Sequence, residues 1–381
     1  MTYSADNWGL CTKPGKYSKV CISIILIFIG VVMNRFDEQY DIRLARADEA
    51  AEIMGFLDKH WKRGHILSVN KELFNYEFLD KDKVTLHIII AKNKVNHKIC
   101  GMCGFLPCSD TEDVSKRDIW GSIWKVVVEV GNLPFLGIEL IKRLKLIYPH
   151  RYNIGIGINK NTSAVIRKVA FKEFVAKMKH YYLLNETMLE DNSFKIAKIS
   201  YKPIREYTDV KAESVIIKPI YNIEEIASGF VPDKEAVPYK DLWYINKRFF
   251  LHPIREYMVY EITSSENEAK ALIVLREENA LQSKALRIVD YIGEQSLFSN
   301  LGIFLKNLIK SENYEYIDLY TYGFEEKYII SAGFSERKED DTNIIPNYFS
   351  PFVAENIDIY VRSPYENTVF MKGDGDQDRP N

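Results

Sequence analysis

The sequence predicts an α/β (α+β) protein of two tandem domains, each a mixed, twisted sheet flanked by helices. Three observations carry this. At 381 residues the chain exceeds the size at which a single core stops growing. Strand-type and helix-type periodicities alternate along it. The element order of the first half then recurs in the second. The expected division is residues 1–39 as an N-terminal extension, 40–190 as the first domain and 191–381 as the second.

Composition narrows the class. Hydrophobic residues make up 46% and charged residues 27%, an ordinary globular balance. The formal net charge of −2 gives no basic footprint for nucleic acid. The 24 Tyr, 20 Phe and 5 Trp suit pockets for rings and sugars as well as large cores. Five cysteines, an odd and sparse set, argue against a secreted disulfide framework. Cys100 and Cys103 have C-x-x-C spacing, but they sit in an apolar run predicted to be a strand. Residues three apart on a strand point to opposite faces, and no second Cys/His pair has zinc spacing, so these cysteines read as structural and no metal is expected.

The elements follow in order. Lys13, Lys16 and Lys19 precede an apolar stretch at 20–33 that falls short of the roughly 20 residues of a membrane span. No small-residue cleavage site follows it. A signal peptide, a short anchor and upstream sequence ahead of a true start at Met33 compete; the last is expected, because a globular pattern opens cleanly at Tyr40. Residues 40–45 alternate as an opening strand, and 48–57 show helical spacing. His60 to Ser68 is a connection, 71–79 a helix, and 84–91 with 99–107 a hairpin. A strand over 118–130, a helix over 137–146, a strand over 152–158, a helix over 162–171 and a strand over 180–185 complete the half.

The joint between Val130 and Gly137 matters most. A strand runs into Gly-Asn-Leu-Pro-Phe-Leu-Gly and then into a helix. Amides at a helix N-terminus are unpaired and sit at the positive end of the dipole, so a pyrophosphate can bind there without a charged side chain.

In the second half, 195–202 and 214–219 read as linker strands and Ile223 opens a helix. Residues 256–263, 269–276 and 285–292 are strands, the last carrying Arg287 and Asp290. An amphipathic helix is expected over 297–310, a strand over 314–320 and a helix over 325–331. The joint at 293–296 is not glycine-rich, so CoA is not expected in this half. The segment 344–352 reads as a rigid loop or hydrophobic lid. The tail 370–381 places acids at alternate positions (Asp374, Asp376, Asp378) beside Arg379. That pattern suits a metal, a sugar or the opposite domain, or else a solvated tail. An EF-hand is not expected, because the loop ends before a bidentate Glu at its twelfth position.

The element order and the Gly131/Gly137 joint resemble the Gcn5-related N-acetyltransferase (GNAT) superfamily. Its acyl-CoA loop, usually Gln/Arg-x-x-Gly-x-Gly/Ala, is reduced here to two glycines. Where that superfamily often has a Tyr as proton donor to the CoA thiolate, this chain has Arg167, with Ala170 in the following Gly slot. The segments His60–Ser68, Arg287–Gly293, 345–349 and 374–381 together resemble two-domain sugar N-acyltransferases of bacterial surface-polysaccharide pathways, over nearly all of 40–381.

The resemblance implies a cytoplasmic transferase, active in lipopolysaccharide or O-antigen synthesis, that moves an acyl group from acyl-CoA to the amine of a dTDP- or UDP-linked amino sugar, with a homodimer as candidate assembly. Acyl-CoA would be held by Val127, Val128, Glu129, Gly131, Asn132, Leu136, Gly137, Ile138 and Asn159, with a backbone N–H near Val127–Glu129 polarising the thioester carbonyl. His65 is the base suggested by residue type, with Asp376, His252 and Asp290 as rivals. Arg248, Arg287 and Arg379 are candidates for the nucleotide diphosphate. Trp61 and Tyr348 are candidates to stack on a ring, and Asn347, Asp374 and Asp378 to contact the sugar. Two rival readings are an aminoacyl-tRNA-dependent peptidoglycan transferase, against which the near-neutral charge speaks, and a non-catalytic acyl-CoA-like binding module.

Overall fold

A computed structural model describes residues 35–129, 131–204, 208, 210, 213–226, 229–265 and 270–380. The Met33 start, Cys11, Cys21, Val130, Ala269 and Asn381 lie outside the described residues. Among the described residues no helix is long and apolar enough to cross a membrane.

The chain opens with β1 (Tyr40–Arg46), α1 (Ala50–His60), α2 (Ile66–Val69), α3 (Lys71–Phe78), β2 (Thr85–Asn93), β3 (Ile99–Pro107) and β4 (Ile119–Val126). It continues through α4 (Leu136–Ile147), β5 (Asn153–Ile156), α5 (Ser163–Phe171), β6 (Phe174–Lys177), β7 (Lys179–Leu184) and α6 (Glu186–Asp191). The second half holds β8 (Val215–Ile220), α7 (Leu242–Ile245), β9 (Met258–Ser264), β10 (Lys270–Ala280), β11 (Ser283–Gly293), α8 (Gly302–Glu312), β12 (Tyr316–Tyr322) and α9 (Glu326–Ser331). Short strands β13 (Ser335–Glu336), β14 (Tyr348–Phe349), β15 (Phe352–Val353), β16 (Tyr360–Ser363) and β17 (Phe370–Met371) close it.

Two mixed sheets result. The first has the order β1-β2-β3-β4-β5-β16-β6, the second β13-β7-β12-β11-β10-β9-β8, with β17 added to β12. The sheets therefore exchange strands: β7 from the first half lies in the second sheet, and β16 from the second half lies between β5 and β6 in the first.

The first sheet is covered on both faces, which is why Leu86 to Ala91 of β2 is an unbroken buried run. On one face Ile53, Phe56 and Leu57 of α1 and Leu73, Phe74 and Phe78 of α3 pack on Ile88, Ile90, Met102 and Ile123. On the other, Leu136, Leu140, Ile141 and Leu144 of α4, spaced as one helical stripe, pack on Ile89, Cys103 and Phe105. Asn70 caps α3 by accepting the Leu73 amide at 2.9 Å. Trp120, Ile154 and Ile156 meet Tyr320 and Phe370 in a cluster that joins the two halves.

Several expectations are corrected. Cys100 and Cys103 join one cluster rather than opposite faces, because the β2–β3 register slips between Ala91 and Lys92, opposite Cys100. Residues 195–202 form no strand, only a bridge between Lys198 and Ile344. The predicted 297–310 helix begins as a 3₁₀ segment, Gln295–Leu301, before α8.

Candidate active site

β4 and β5 run parallel only at Ile119–Asn153 and Trp120–Ile154, then diverge. The divergence coincides with a bulge: Phe105 pairs with Gly121 and Cys103 with Trp124, so Ser122 and Ile123 together face Gly104. Beyond it, the Val127 amide donates to Cys100 O at 2.9 Å. Of the stretch Val127–Glu129, where the oxyanion donor was expected, the Val127 amide is thus already spent on β3. Alternation along an antiparallel strand turns the amides of Trp124 and Val126 to the opposite edge, into the fork.

The predicted phosphate turn is partly occupied by its own chain. Tyr40 Oη accepts the Leu133 amide at 2.9 Å, Asn132 Nδ2 donates to Val127 O at 2.9 Å, and Gln39 Nε2 donates to Gly131 O at 2.6 Å. The helix start is open. Phe135 adopts a left-handed conformation (φ 64°) and supplies no side-chain cap, so the first amides of α4, at Leu136, Gly137 and Ile138, lack intrahelical acceptors. Gly137 fits closely there, because a Cβ would stand 3.0 Å from the Trp124 ring and the ring would have to yield. Phe135, Val165 and Val169 are exposed on the neighbouring α4 and α5 elements, an apolar margin to this groove. A cavity of about 340 Å³ lies on the other side of the turn, between α1 and Val127, Glu129, Gly131 and Asn132. Asn159 stands at the start of α5, where its Oδ1 accepts the Asn161 amide at 2.9 Å.

Arg167, in the slot where the resembled superfamily often has a Tyr, is buried with its guanidinium 5.5 Å from the Trp124 ring. Burial, and then the charge of Arg362, push it down to about 9. Glu173 bridges Arg167 (3.1 Å) and Arg362 (3.0 Å). The Arg362 guanidinium lies on Gly121 and Gly155, where any Cβ would collide with it.

The tail docks on the opposite domain, one of the readings its alternating acids allowed: Asp374 and Asp378 are buried, and the segment straps the halves together. Its alternating acids reach alternate partners. Asp374 meets Lys240, which also holds Asp290, at 2.6 and 2.7 Å. Asp376 Oδ2 accepts from Ser122 Oγ at 3.1 Å, inside the β4 bulge. Asp378 accepts from Tyr257 Oη at 2.7 Å and from Arg276 at 2.5 Å. Arg379 donates twice to Glu77 of α3, at 2.8 and 2.6 Å, and also to Ser122 Oγ at 2.9 Å and Asp376 at 3.2 Å.

His65 belongs to this cluster electrostatically. Its Nδ1 accepts the Leu67 amide at 3.2 Å as the cap of α2, and burial, then Arg379 and Lys62, hold it down at about 4 while Asp376 opposes them. The structure thus brings together His65, Asp376 and Arg379, and adds Ser122 and Glu77, which sequence reading missed. A bulge shows in a sequence only through its pairing partner, and neither residue stands in a motif.

The other candidates divide. Arg287, Asn347, Tyr348, Asp378 and Arg379 line one small cavity. Arg287 is nevertheless spent on Asp318, at 2.9 and 2.7 Å. Arg248 is buried and donates to Gly373 O at 2.8 Å, and Asp290 is held by Lys240. His252 caps the turn at Ile254 and Arg255 through Nδ1, and burial and Arg248 hold it down at about 3. Trp61 is exposed past α1, and among the described residues no hydrogen bond or ring contact joins it to the cluster. Among the described residues no His/Cys/Asp/Glu group has the makings of a metal site.

A scan against protein-family models finds no match, and a search of curated proteins finds none either. Among solved structures the chain aligns with a conserved protein of unknown function from Enterococcus faecalis V583, described as a probable N-acyltransferase. The TM-score is 0.50 at 11% identity, over 86% of this chain and 73% of that one. It also aligns with a GCN5-related N-acetyltransferase from Anabaena variabilis (TM-score 0.46, 9% identity, 85% and 72% covered). Saccharomyces cerevisiae N-myristoyltransferase with bound myristoyl-CoA aligns at a TM-score of 0.40 and 9% identity, with 87% and 79% covered. At such identities the likeness is one of fold: two twisted mixed sheets flanked by helices, in the arrangement of the Enterococcus protein.

Proposed function

We propose that the chain transfers an acyl group from a coenzyme A thioester to the amine of a nucleotide-linked amino sugar, in the cytoplasm, where acyl-CoA is made. The observation that carries this reading is the bulged β4, whose free amide edge faces the fork while a tail carboxylate, Asp376, is hydrogen-bonded to Ser122 within the bulge. The open start of α4 is the place for the CoA diphosphate. A fold shared with a protein described as a probable N-acyltransferase agrees with it.

In this reading the amine attacks the thioester carbonyl, and the amides of Trp124 and Val126 stabilise the oxyanion. The C–N bond forms, the C–S bond breaks, and Asp376 accepts the ammonium proton directly or through water. His65, held neutral with Nδ1 accepting the Leu67 amide, orders the α2 turn beside Asp376 and keeps its Nε2–H as a donor. Solvent protonates the leaving thiolate, since Arg167, in the slot of the usual proton donor, is buried and paired with Glu173. Incubation with a panel of CoA thioesters and nucleotide amino sugars tests this by mass. Release of CoA with an acyl-mass gain on the sugar is expected; no gain with any pair, together with no calorimetric binding of acetyl-CoA, refutes it.

A further inference from the structure

The small cavity beside the tail has chemistry that the fork does not use. It is lined by Arg255, Arg276, Arg287, Lys372 and Arg379 against only two acids, Glu278 and Asp378. Three of these cations are already committed. Arg287 is paired with Asp318, Arg379 with Glu77, and Arg276 with both Glu278 (2.6 Å) and Asp378.

What remains is unspent donor capacity. Arg276 is 5% exposed, yet its Nε and Nη1 have no hydrogen-bond partner. Arg255 Nε is also buried without a partner, and among the described residues no carboxylate lies within ion-pair distance of Arg255. Lys372 is 3% exposed; among the described residues its ammonium, which donates to Gln377 O at 3.3 Å and lies 5.4 Å from the Tyr348 ring, has no carboxylate in ion-pair contact. A buried guanidinium N–H left unpaired is costly, so several on residues that line one cavity describe a site prepared for an anion. The electrical environment agrees. Burial, and then Arg287, hold the Lys372 amine down at about 8, and burial and Arg276 lower Arg255.

We propose that this cavity binds a phosphoryl oxygen through Arg255, Arg276 and Lys372, and that it serves the diphosphate of the acceptor. The second clause rests on the reading of the acceptor as nucleotide-linked. Planar guanidinium forks match phosphate oxygens, and Lys372 adds a point charge. The free volume is about 30 Å³, room for one water-sized group, so one oxygen enters and the remainder of the anion faces the rim at exposed Ser350. Arg379 lines this cavity and also touches Ser122 and Asp376, so an anchored diphosphate lies one side chain from the fork.

Inorganic pyrophosphate is the probe. Calorimetry on the full chain should show binding that weakens by about tenfold in Arg255→Gln, the loss of one charge-assisted hydrogen bond. Arg255 leaves no carboxylate orphaned, so this variant should fold, and circular dichroism checks that it does. Lys372→Gln should weaken binding similarly. Equal affinity in wild type and both variants, or no binding to wild type, overturns the site. In the transfer assay, pyrophosphate should compete with the sugar nucleotide and not with acyl-CoA. Competition with acyl-CoA alone overturns the assignment to the acceptor. Binding weakened in Arg255→Gln while no sugar is acylated upholds the anion site and removes the transferase reading, so the two failures are told apart.

Discussion

The contact between Arg379 and Glu77 can be tested as a pair. Both side chains are nearly inaccessible, at 7% and 3%, and they meet in two parallel hydrogen bonds of 2.8 and 2.6 Å. Removing one member of such a buried pair typically costs about 3–5 kcal/mol, because the other charge stays buried and unmatched. Glu77→Gln should fall at the low end, since Arg379 keeps Asp376 and Ser122. Arg379→Gln should fall at the high end, because it strands Glu77 and leaves Asp376 with Ser122 alone. Were the two effects independent, the double variant would lose about 6–10 kcal/mol; with the charges removed together it should lose no more than about 5, a coupling of roughly 3 kcal/mol. Urea unfolding of the four proteins, followed by fluorescence and circular dichroism to check that the transitions coincide, supplies the cycle. A double variant whose loss equals the sum of the singles within about 0.5 kcal/mol would refute the argument that the tail is fastened by this contact.

Other outcomes are expected. Asp376→Asn should lower kcat by about 10²–10⁴, the range for a lost general base, with little change in acyl-CoA affinity, while His65→Gln should cost less; the reverse order would exchange their roles. Gly137→Val places carbon about 3 Å from the Trp124 ring, so it should weaken acetyl-CoA binding and cost roughly 1–3 kcal/mol, checked by calorimetry and thermal melting. Stability should fall as pH drops below about 6.5. His65, His150 and His180 are held down at about 4 and His252 at about 3, each mainly by burial, so between those values and 6.5 the unfolded chain binds more protons and acid favours it. Urea midpoints that stay level from pH 7.5 to 4.5 would contradict this.

The sequence made much of the fold legible, for physical reasons. The α4 stripe and the β2–β3 hairpin have strong periodicities, and both appear where pattern alone placed them. What it hid was pairing. Nothing local announces that residues 360–363 lie between β5 and β6, because a short strand's partners are set by distant chain. The site was legible by half. His65, Asp376 and Arg379 were named from residue type, yet Ser122 matters only because a bulge turns it toward the tail. Arg248, Arg287 and Asp290 drew notice as charges, and their partners Gly373, Asp318 and Lys240 are 125, 31 and 50 positions away in sequence.

The exchange of β7 and β16 carries a consequence for synthesis and for motion. During translation the first sheet lacks an interior member until residue 363 has left the ribosome, so its β5 and β6 edges wait unjoined through the making of nearly the whole second half. A nascent chain arrested at residue 350 should be protease-sensitive around β5 and β6 even though α1 to β4 are long complete. In the finished molecule the same interlacing couples the halves mechanically: neither can swing away as a rigid lobe without stripping a strand from its neighbour, so access to the fork must come from loops and side chains rather than from opening at a hinge.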